Sequence, residues 1–251
     1  MVYESEYAMD TDSNFRTLDD FSELIVSKDT NVRLEIFHQL EAFLRQPHSN
    51  LHCTDLNTFC SSILLWINSS NFKISINGLT IIQMLIQRLS DKLQNYTIDI
   101  VTHIVDRFGD SKDQVRVASK NILIFMMATY TPTFIWDRLN VGFNHKIPKI
   151  REETLELLGE SFDKFGANNM NLPKMVTFVV KLFTDQNQFV REKALACLIE
   201  IYKTVGDRLR NELKKKQLPE EKLKLIFGKF DDVIKSGKMK ECPKETHLEG
   251  N

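Results

Sequence analysis

Five cations stand at nearly even intervals along this chain: Arg33, Lys73, Arg116, Arg151 and Arg191, with steps of 40, 43, 35 and 40 residues. Each follows polar residues and one branched or aromatic apolar residue, and each opens a helical run. The motifs are Thr30-Asn31-Val32-Arg33, Ser70-Asn71-Phe72-Lys73, Asp113-Gln114-Val115-Arg116, Pro148-Lys149-Ile150-Arg151 and Gln188-Phe189-Val190-Arg191. A cation repeated in this way supports two chemistries. It can meet the carboxylates of a partner through charge-assisted hydrogen bonds, or it can hold its own chain's turns together. Asp110 and Asp185 each stand six residues before one of the arginines, a spacing suited to lateral bonds that staple adjoining repeats. Lys73 has no aspartate at that distance, so the structural reading is weaker there.

Other chemistries find little support. No nucleophile, base and acid fall at a useful spacing, and the chain lacks a Gly-rich phosphate loop, so no enzyme is expected. His52, Cys53 and Cys60 form a trio of soft ligands without a fourth, and neither a metal nor a cofactor is expected. The Lys214-Lys215-Lys216 tract with Lys222 and Lys224 has the charge for nucleic acid. Acidic residues interleave it and aromatics are sparse, so it reads as a solvated face. Trp136 and Cys197 read as core, Trp66 as core with exposure near the turn as its alternative, and Phe72 as packing at the position of Val32 and Val115, ahead of a contact with a partner. His145, beside Lys146, is either a contact or a solvated loop residue.

The elements that position the cations follow from the step. A period near 40 marks stacked helix pairs of the HEAT or armadillo kind, in which every repeat places the same loop on one edge. The 251 residues are 42% hydrophobic and 27% charged, with only 9 Gly and 6 Pro, which suits an all-α array with short turns. The predicted pairs are 18–27 with 31–45, 54–67 with 72–89, 95–108 with 114–129, 132–143 with 148–165 and 172–183 with 189–205. A less regular sixth pair covers 207–235. Val190, Ala194, Cys197, Leu198, Ile201, Tyr202 and Val205 form an apolar stripe wide enough for two packed neighbours. Asn31, Asn71, Asp113 and Asn187 are placed to cap second helices. Pro132, Pro148, Pro173 and Pro219 fit first turns, and Gly166, Gly206 and Gly237 fit helix ends.

The net charge of −1 conceals an acidic start and a basic end. Residues 1–23 set Glu4, Glu6, Asp10, Asp12, Asp19, Asp20 and Glu23 against Arg16, and residues 203–244 set 13 Lys/Arg against 7 Asp/Glu. Residues 1–16 and 238–251 read as disordered and 17–237 as the folded domain. The acidic start resembles neither a signal peptide nor a presequence. Apolar runs such as Ile63-Leu64-Leu65-Trp66-Ile67 are too short to cross a bilayer. Four cysteines without CxxC spacing read as reduced thiols of a cytosolic or nuclear protein.

The turns then bear a family likeness. Trp66-Ile67-Asn68-Ser69-Ser70-Asn71-Phe72-Lys73 resembles the second-repeat turn of the first TOG domain of the CLASP (CLIP-associating protein; Orbit/MAST) microtubule-associated family. Asp106-Arg107-Phe108-Gly109-Asp110-Ser111-Lys112-Asp113-Gln114-Val115-Arg116 is similar to its third-repeat turn. Phe143-Asn144-His145-Lys146 with Lys149-Ile150-Arg151-Glu152 resembles the next turn, and the run from Glu200 to Arg210 resembles the junction into the sixth repeat. Lys229-Phe230-Asp231-Asp232-Val233 with Ser236-Gly237 looks like the end of that domain, so the likeness covers 17–237.

The resemblance implies an all-α, right-handed HEAT-repeat solenoid of about six helix pairs, a TOG-type paddle that touches tubulin through its intra-repeat turns. It implies a regulator of microtubule dynamics that suppresses catastrophe, promotes rescue and acts at spindle and kinetochore, in the cytoplasm and on the cytoskeleton. The implied partners are tubulin and microtubules, with other cytoskeletal or kinetochore proteins beside them. No membrane or nucleic acid is implied, and the chain is expected to be a monomer. Mapped here, the tubulin-binding residues are Lys28 and Asn31, Asn71 and Lys73, Lys112 and Arg116, then Lys146, Lys149 and Arg151, then Asn187 and Arg191. Tubulin is strongly acidic, so the signs agree. One exposed ion pair contributes only about 0–1 kcal/mol, while a row of them steers association and fixes register. The first turn departs from the pattern. Ser27-Lys28-Asp29-Thr30-Asn31 holds no aromatic, where many tubulin-binding TOG domains present an anchor. Microtubule association is therefore the firmer expectation, ahead of binding to free tubulin. CLASPs also carry further TOG domains, a basic Ser-rich stretch and a C-terminal adaptor region, so this chain reads as a fragment or a single-domain relative. The competing reading is a HEAT-repeat scaffold that binds a non-tubulin protein.

Overall fold

The computed structural model describes residues 15–240, and its regular structure there is helical, without strands. Contacts divide the chain into two compact units, one running to Leu85 and one starting at Ile86. The disorder expected over 1–14 and 241–251 lies outside the described residues.

In the first unit, a 3-10 turn (Leu18–Phe21) and one helical turn, α1 (Ser22–Ile25), replace the single longer helix expected there. α2 (Thr30–Arg45), α3 (Leu56–Ile67) and α4 (Phe72–Leu93) follow, and the unit boundary falls inside α4. A capping box starts the 3-10 turn. The Asp20 carboxylate accepts from the N–H groups of Arg16 and Thr17 at 2.6 and 2.8 Å. Asp19 accepts from the Thr54 N–H and hydroxyl at 2.8 and 2.9 Å. Part of the acidic start is thus spent on ordering the chain. Phe15 stacks on Phe21 with centroids 4.1 Å apart, two residues ahead of the expected domain start. Trp66 is core, as expected, and its indole N–H donates to the Ile25 carbonyl at 2.7 Å. That bond satisfies a carbonyl at the end of α1 that has no helical partner.

The second unit holds the end of α4, then α5 (Thr97–Asp106), α6 (Asp113–Thr129), α7 (Pro132–Phe143) and α8 (Pro148–Phe165). It closes with α9 (Leu172–Leu182), α10 (Gln188–Val205), α11 (Asp207–Lys214) and α12 (Glu220–Lys235). α4 bends at Leu89 (φ −130, ψ 30), and 3-10 turns at Gln94–Tyr96 and Arg107–Gly109 flank α5, so the predicted helix 95–108 is three pieces. First helices pack on first helices, α5 on α7 and α9 on α11; second helices pack on second helices, α8 on α10 and α10 on α12. The sequence period returns as the spacing of bonds between repeats. Lys174 to Asp137, Lys181 to Asn144 and Lys193 to Glu156 each span 37 residues, and Arg151 to Asp185 spans 34. In the core, Phe143 stacks between Trp136 and Phe178 at 5.7 and 4.9 Å, and Tyr202 lies flat on Phe230 at 4.0 Å. Pro132, Pro148 and Pro173 sit in first turns, with Pro219 one residue ahead of α12. Beyond Gly237 the chain stays attached. The Lys240 N–H donates to the Lys203 carbonyl at 2.9 Å and its ammonium meets Asp163 at 2.7 Å, three residues past the expected domain end.

Gly78 permits the close approach of α4 to α3: a Cβ there would stand 2.8 Å from the Ile67 backbone nitrogen. An alanine gains about 1 kcal/mol of helix propensity, but backbone cannot rotate aside, and overpacking costs about 1–3 kcal/mol. Gly78→Ala is therefore expected to lower stability by up to about 2 kcal/mol in urea unfolding. Gly228→Ala, where a Cβ meets nothing within 4 Å, is expected to raise it by about 1 kcal/mol.

Candidate interaction edge at the helix-pair turns

One side-chain bond recurs in all five turns. The residue opening the turn accepts from the N–H two residues on: Ser27 from Asp29 at 3.2 Å, Ser69 from Asn71 at 3.2 Å, Asp110 from Lys112 at 2.8 Å, His145 from Ile147 at 3.1 Å and Asp185 from Asn187 at 2.9 Å. A second bond closes four of these turns. An arginine six residues further on donates to the opening residue's carbonyl. Arg33 reaches Ser27 in this way, Arg116 reaches Asp110 at 2.7 Å, Arg151 reaches His145 at 2.6 Å and Arg191 reaches Asp185 at 2.7 Å. Turn carbonyls lack helical donors, and a guanidinium supplies several N–H groups in one plane. The hydrogen bonds of Arg116 and Arg191 are made inside their own turns, Arg116 to the Asp110 carbonyl and the Asp113 carboxylate and Arg191 to the Asp185 and Gln186 carbonyls, while Arg116 Nε also lies 3.7 Å from Glu153 of α8. The lateral staple is Arg151, whose Nη2 lies 2.9 Å from Asp185 Oδ1 in the next turn.

The second turn corrects the register of the cation series. Six residues after Ser69 stands Ser75, not Lys73, and the Ser75 hydroxyl donates to the Ile67 carbonyl at 2.7 Å. Burial agrees. Ile74 is fully covered, at the place of Val115, Ile150 and Val190. Phe72 is half-buried at the place of Asp113, Pro148 and Gln188, not that of Val32 and Val115. Lys73 therefore shares the second position of its helix with Asn31, Gln114, Lys149 and Phe189, and all five are exposed. Caps shift slightly as well. Asn71 and Asn187 bond the N–H two residues on, as expected, whereas Asp29 replaces Asn31 as the α2 cap and Asp113 is the first residue of α6.

The candidate contacts separate into two groups. Lys28, Lys73 and Lys146 are exposed and form no ion pair among the described residues; Asn31 and Lys112 are exposed too. Arg116, Arg151, Arg191, Asn71 and Asn187 are half-buried and bonded within the turns. Lys149 lies between these groups, with its ammonium 2.9 Å from Glu153. Glu153 is buried and also meets Lys120 at 2.9 Å and Arg116 Nε at 3.7 Å. Burial alone would raise the Glu153 carboxyl, but the bonds from Lys149 and Lys120 hold it below its ordinary range. Burial opposes ionisation of Asp185 as well, and there the Arg151 bond and the Asn187 N–H prevail. Glu153 and Asp185 are thus engaged within the turns, whereas Asp29 and Asp113 are exposed beside the outward lysines. Sequence reasoning missed Phe189, 66% exposed, and Ile147, also exposed, because it followed polar and charged residues and set turn aromatics aside as packing. Counting forward from each turn's opening residue would have found Phe189.

Elsewhere the chemistry is quiet. Glu156, Glu160, Asp163 and Glu200 line a groove between α8 and α10, with Lys240 on Asp163. Burial pushes the Cys60 thiol to about 12 and Cys53 to about 11, and raises Cys197, so none is a thiolate near neutral pH. Trp136 and Cys197 are core, as expected. Among the described residues no His/Cys/Asp/Glu group is arranged for a metal, and no helix is long and apolar enough to cross a membrane.

Arg151→Lys removes the two-armed grip on His145 and Asp185, and is expected to lower unfolding free energy by about 1–3 kcal/mol. Ser75→Ala, which removes the buried hydroxyl bond to the Ile67 carbonyl, is expected to cost about 1 kcal/mol. The depressed carboxyls of Asp185 and Glu153 contribute stability that is present above their ordinary values of 3.8 and 4.5 and is lost as pH falls through their lower folded values. Asp185→Asn is expected to flatten that part of the profile of melting temperature against pH.

A sequence model of the XMAP215/Dis1/CLASP TOG domain matches residues 17–224. CLIP-associating protein 1 of Xenopus tropicalis is 34% identical over 239 residues, which is 90% of this chain and 16% of that protein. The chain thus spans about a sixth of the length of such relatives. The crystal structure of the MAST/Orbit N-terminal domain superposes with a TM-score of 0.78 at 32% identity, covering 86% of this chain and 97% of that domain. A Crescerin TOG domain, from a protein described as regulating microtubules in the primary cilium, shares the fold at a TM-score of 0.72 and 20% identity, over 84% of this chain and 88% of that one. Paired helices of HEAT type, stapled turns and a family match over nearly the whole described region agree: this chain belongs to the XMAP215/Dis1/CLASP TOG-domain family.

Proposed function

We propose that this chain is a microtubule-associated module that regulates microtubule dynamics by meeting tubulin through its helix-pair turns. The observation that carries the reading is the division of labour at those turns. Arginines are consumed on backbone carbonyls, and Lys28, Lys73 and Lys146 are left outward on turns that cannot sag. Asn31, Lys112 and Lys149 join them at the surface. Arg116, Arg151, Arg191, Asn71 and Asn187 act mainly by fixing the turns. Turns that contact both subunits of a tubulin dimer favour the curvature that fits them and shift the populations of polymer end states. Suppression of catastrophe, rescue, action at spindle and kinetochore, and residence on the cytoskeleton belong to this same proposal, supported by the likeness to CLIP-associating protein 1.

Charge reversal tests it. Lys149→Glu would place a carboxylate against buried Glu153 and so perturb folding, which makes Lys73→Glu with Lys146→Glu the cleaner set. Pelleting of that variant with stabilised microtubules is expected to weaken roughly five- to thirtyfold at low salt. Wild-type binding is expected to fall as salt rises. A variant that melts and pellets like wild type would show that these turns are not the binding edge.

A further inference from the structure

We infer that Phe189 is the apolar anchor of this edge, seating on an uncharged patch among tubulin's carboxylates; the inference rests on the reading of the edge as a tubulin-binding surface. Register gives the first support. Phe189 holds the second position of α10, the outward position that carries Lys73 in α4 and Lys149 in α8. Lys149 lies in the neighbouring turn of the same unit, so a partner that meets it is within reach of this ring. Presentation gives the second. Phe189 is 66% exposed, yet its own N–H is held by Asn187 at 2.9 Å, the next residue, Val190, is buried, and Arg191 is bonded to the turn. The backbone beneath the ring is thus fixed before any partner arrives, and an aromatic side chain has few torsions left to order.

Surroundings give the third. The fourth turn, joined to the fifth through Arg151 and Asp185 at 2.9 Å, presents exposed Ile147 with Lys146 and Lys149. Exposed apolar residues on a turn beside one that carries lysines suit an acidic partner that has a bare patch, since interface hot spots pair apolar anchors with a polar surround. Magnitude decides which group grips. Seating an aromatic ring changes affinity by roughly ten- to a hundredfold, whereas one exposed ion pair changes it by roughly fivefold at most. The lysines then set rate and register, and the ring sets residence.

The test compares Phe189→Ala, Phe189→Tyr and the Lys73→Glu/Lys146→Glu pair in pelleting with stabilised microtubules at low and high salt, with sedimentation velocity of each protein alone. Phe189→Ala is expected to melt like wild type and bind roughly ten- to a hundredfold more weakly at both salt concentrations, while Phe189→Tyr keeps most of the binding. If the alanine variant pellets like wild type and only the lysine pair has lost binding, the anchor is wrong and the edge survives. If both variants pellet like wild type, both readings fail. If Phe189→Ala instead abolishes a wild-type dimer and leaves pelleting unchanged, the ring's partner is a second copy and the inference is overturned.

Discussion

A turn between two packed helices leaves carbonyl oxygens without helical donors, and in four turns of this chain a guanidinium six residues on supplies them. Much of the edge's character follows from that bond. It ties the first turn of four of the second helices to the loop before it. It also takes the arginines out of contention as free charges. In the second turn a serine hydroxyl does the same work on the Ile67 carbonyl.

With the arginines engaged, outward charge falls to lysines and to whatever stands at the second position of each helix. Two of the turn carboxylates are engaged within the fold, while Asp29 and Asp113 stay exposed. Asp185 serves Arg151 and the Asn187 N–H, and Glu153 sits buried between Lys120 and Lys149. Both stay ionised because their partners outweigh the penalty of burial. The same residues thus hold the turns and leave Lys28, Lys73 and Lys146 without ion pairs among the described residues, in a chain whose net charge is −1.

Much of this was legible in the amino-acid sequence, because a repeat period survives translation into structure. The step near 40 residues returned as bonds spanning 34 to 37 residues. Proline marked the starts of α7, α8, α9 and α12, and glycine the ends of α8, α10 and α12, through backbone constraints that context seldom overrides. The register of the second repeat was not legible. Phe72-Lys73 imitates the buried-apolar-then-cation pair two residues early, and only the full burial of Ile74 separates the true pair from the imitation. The roles of the cations were hidden as well, since arginine on a carbonyl and arginine on a partner have the same sequence. Phe189 escaped notice because it sits among residues chosen for their charge, and its exposure is set by a helix phase fixed at Val190. The short first helix and the break at Leu89 depend on contacts of Asp19 and Asp20 and on local backbone geometry that carry no period.

The central claim is that the stapled turns, and no other face, meet the microtubule. Amide hydrogen exchange of the chain, alone and on stabilised microtubules, tests it most directly. Slowed exchange confined to the segments around 28–31, 71–73, 112–114, 146–149 and 187–189 is the predicted result. Protection concentrated along α8 and α10 around 156–163 and 193–200, with the turns unchanged, would contradict it.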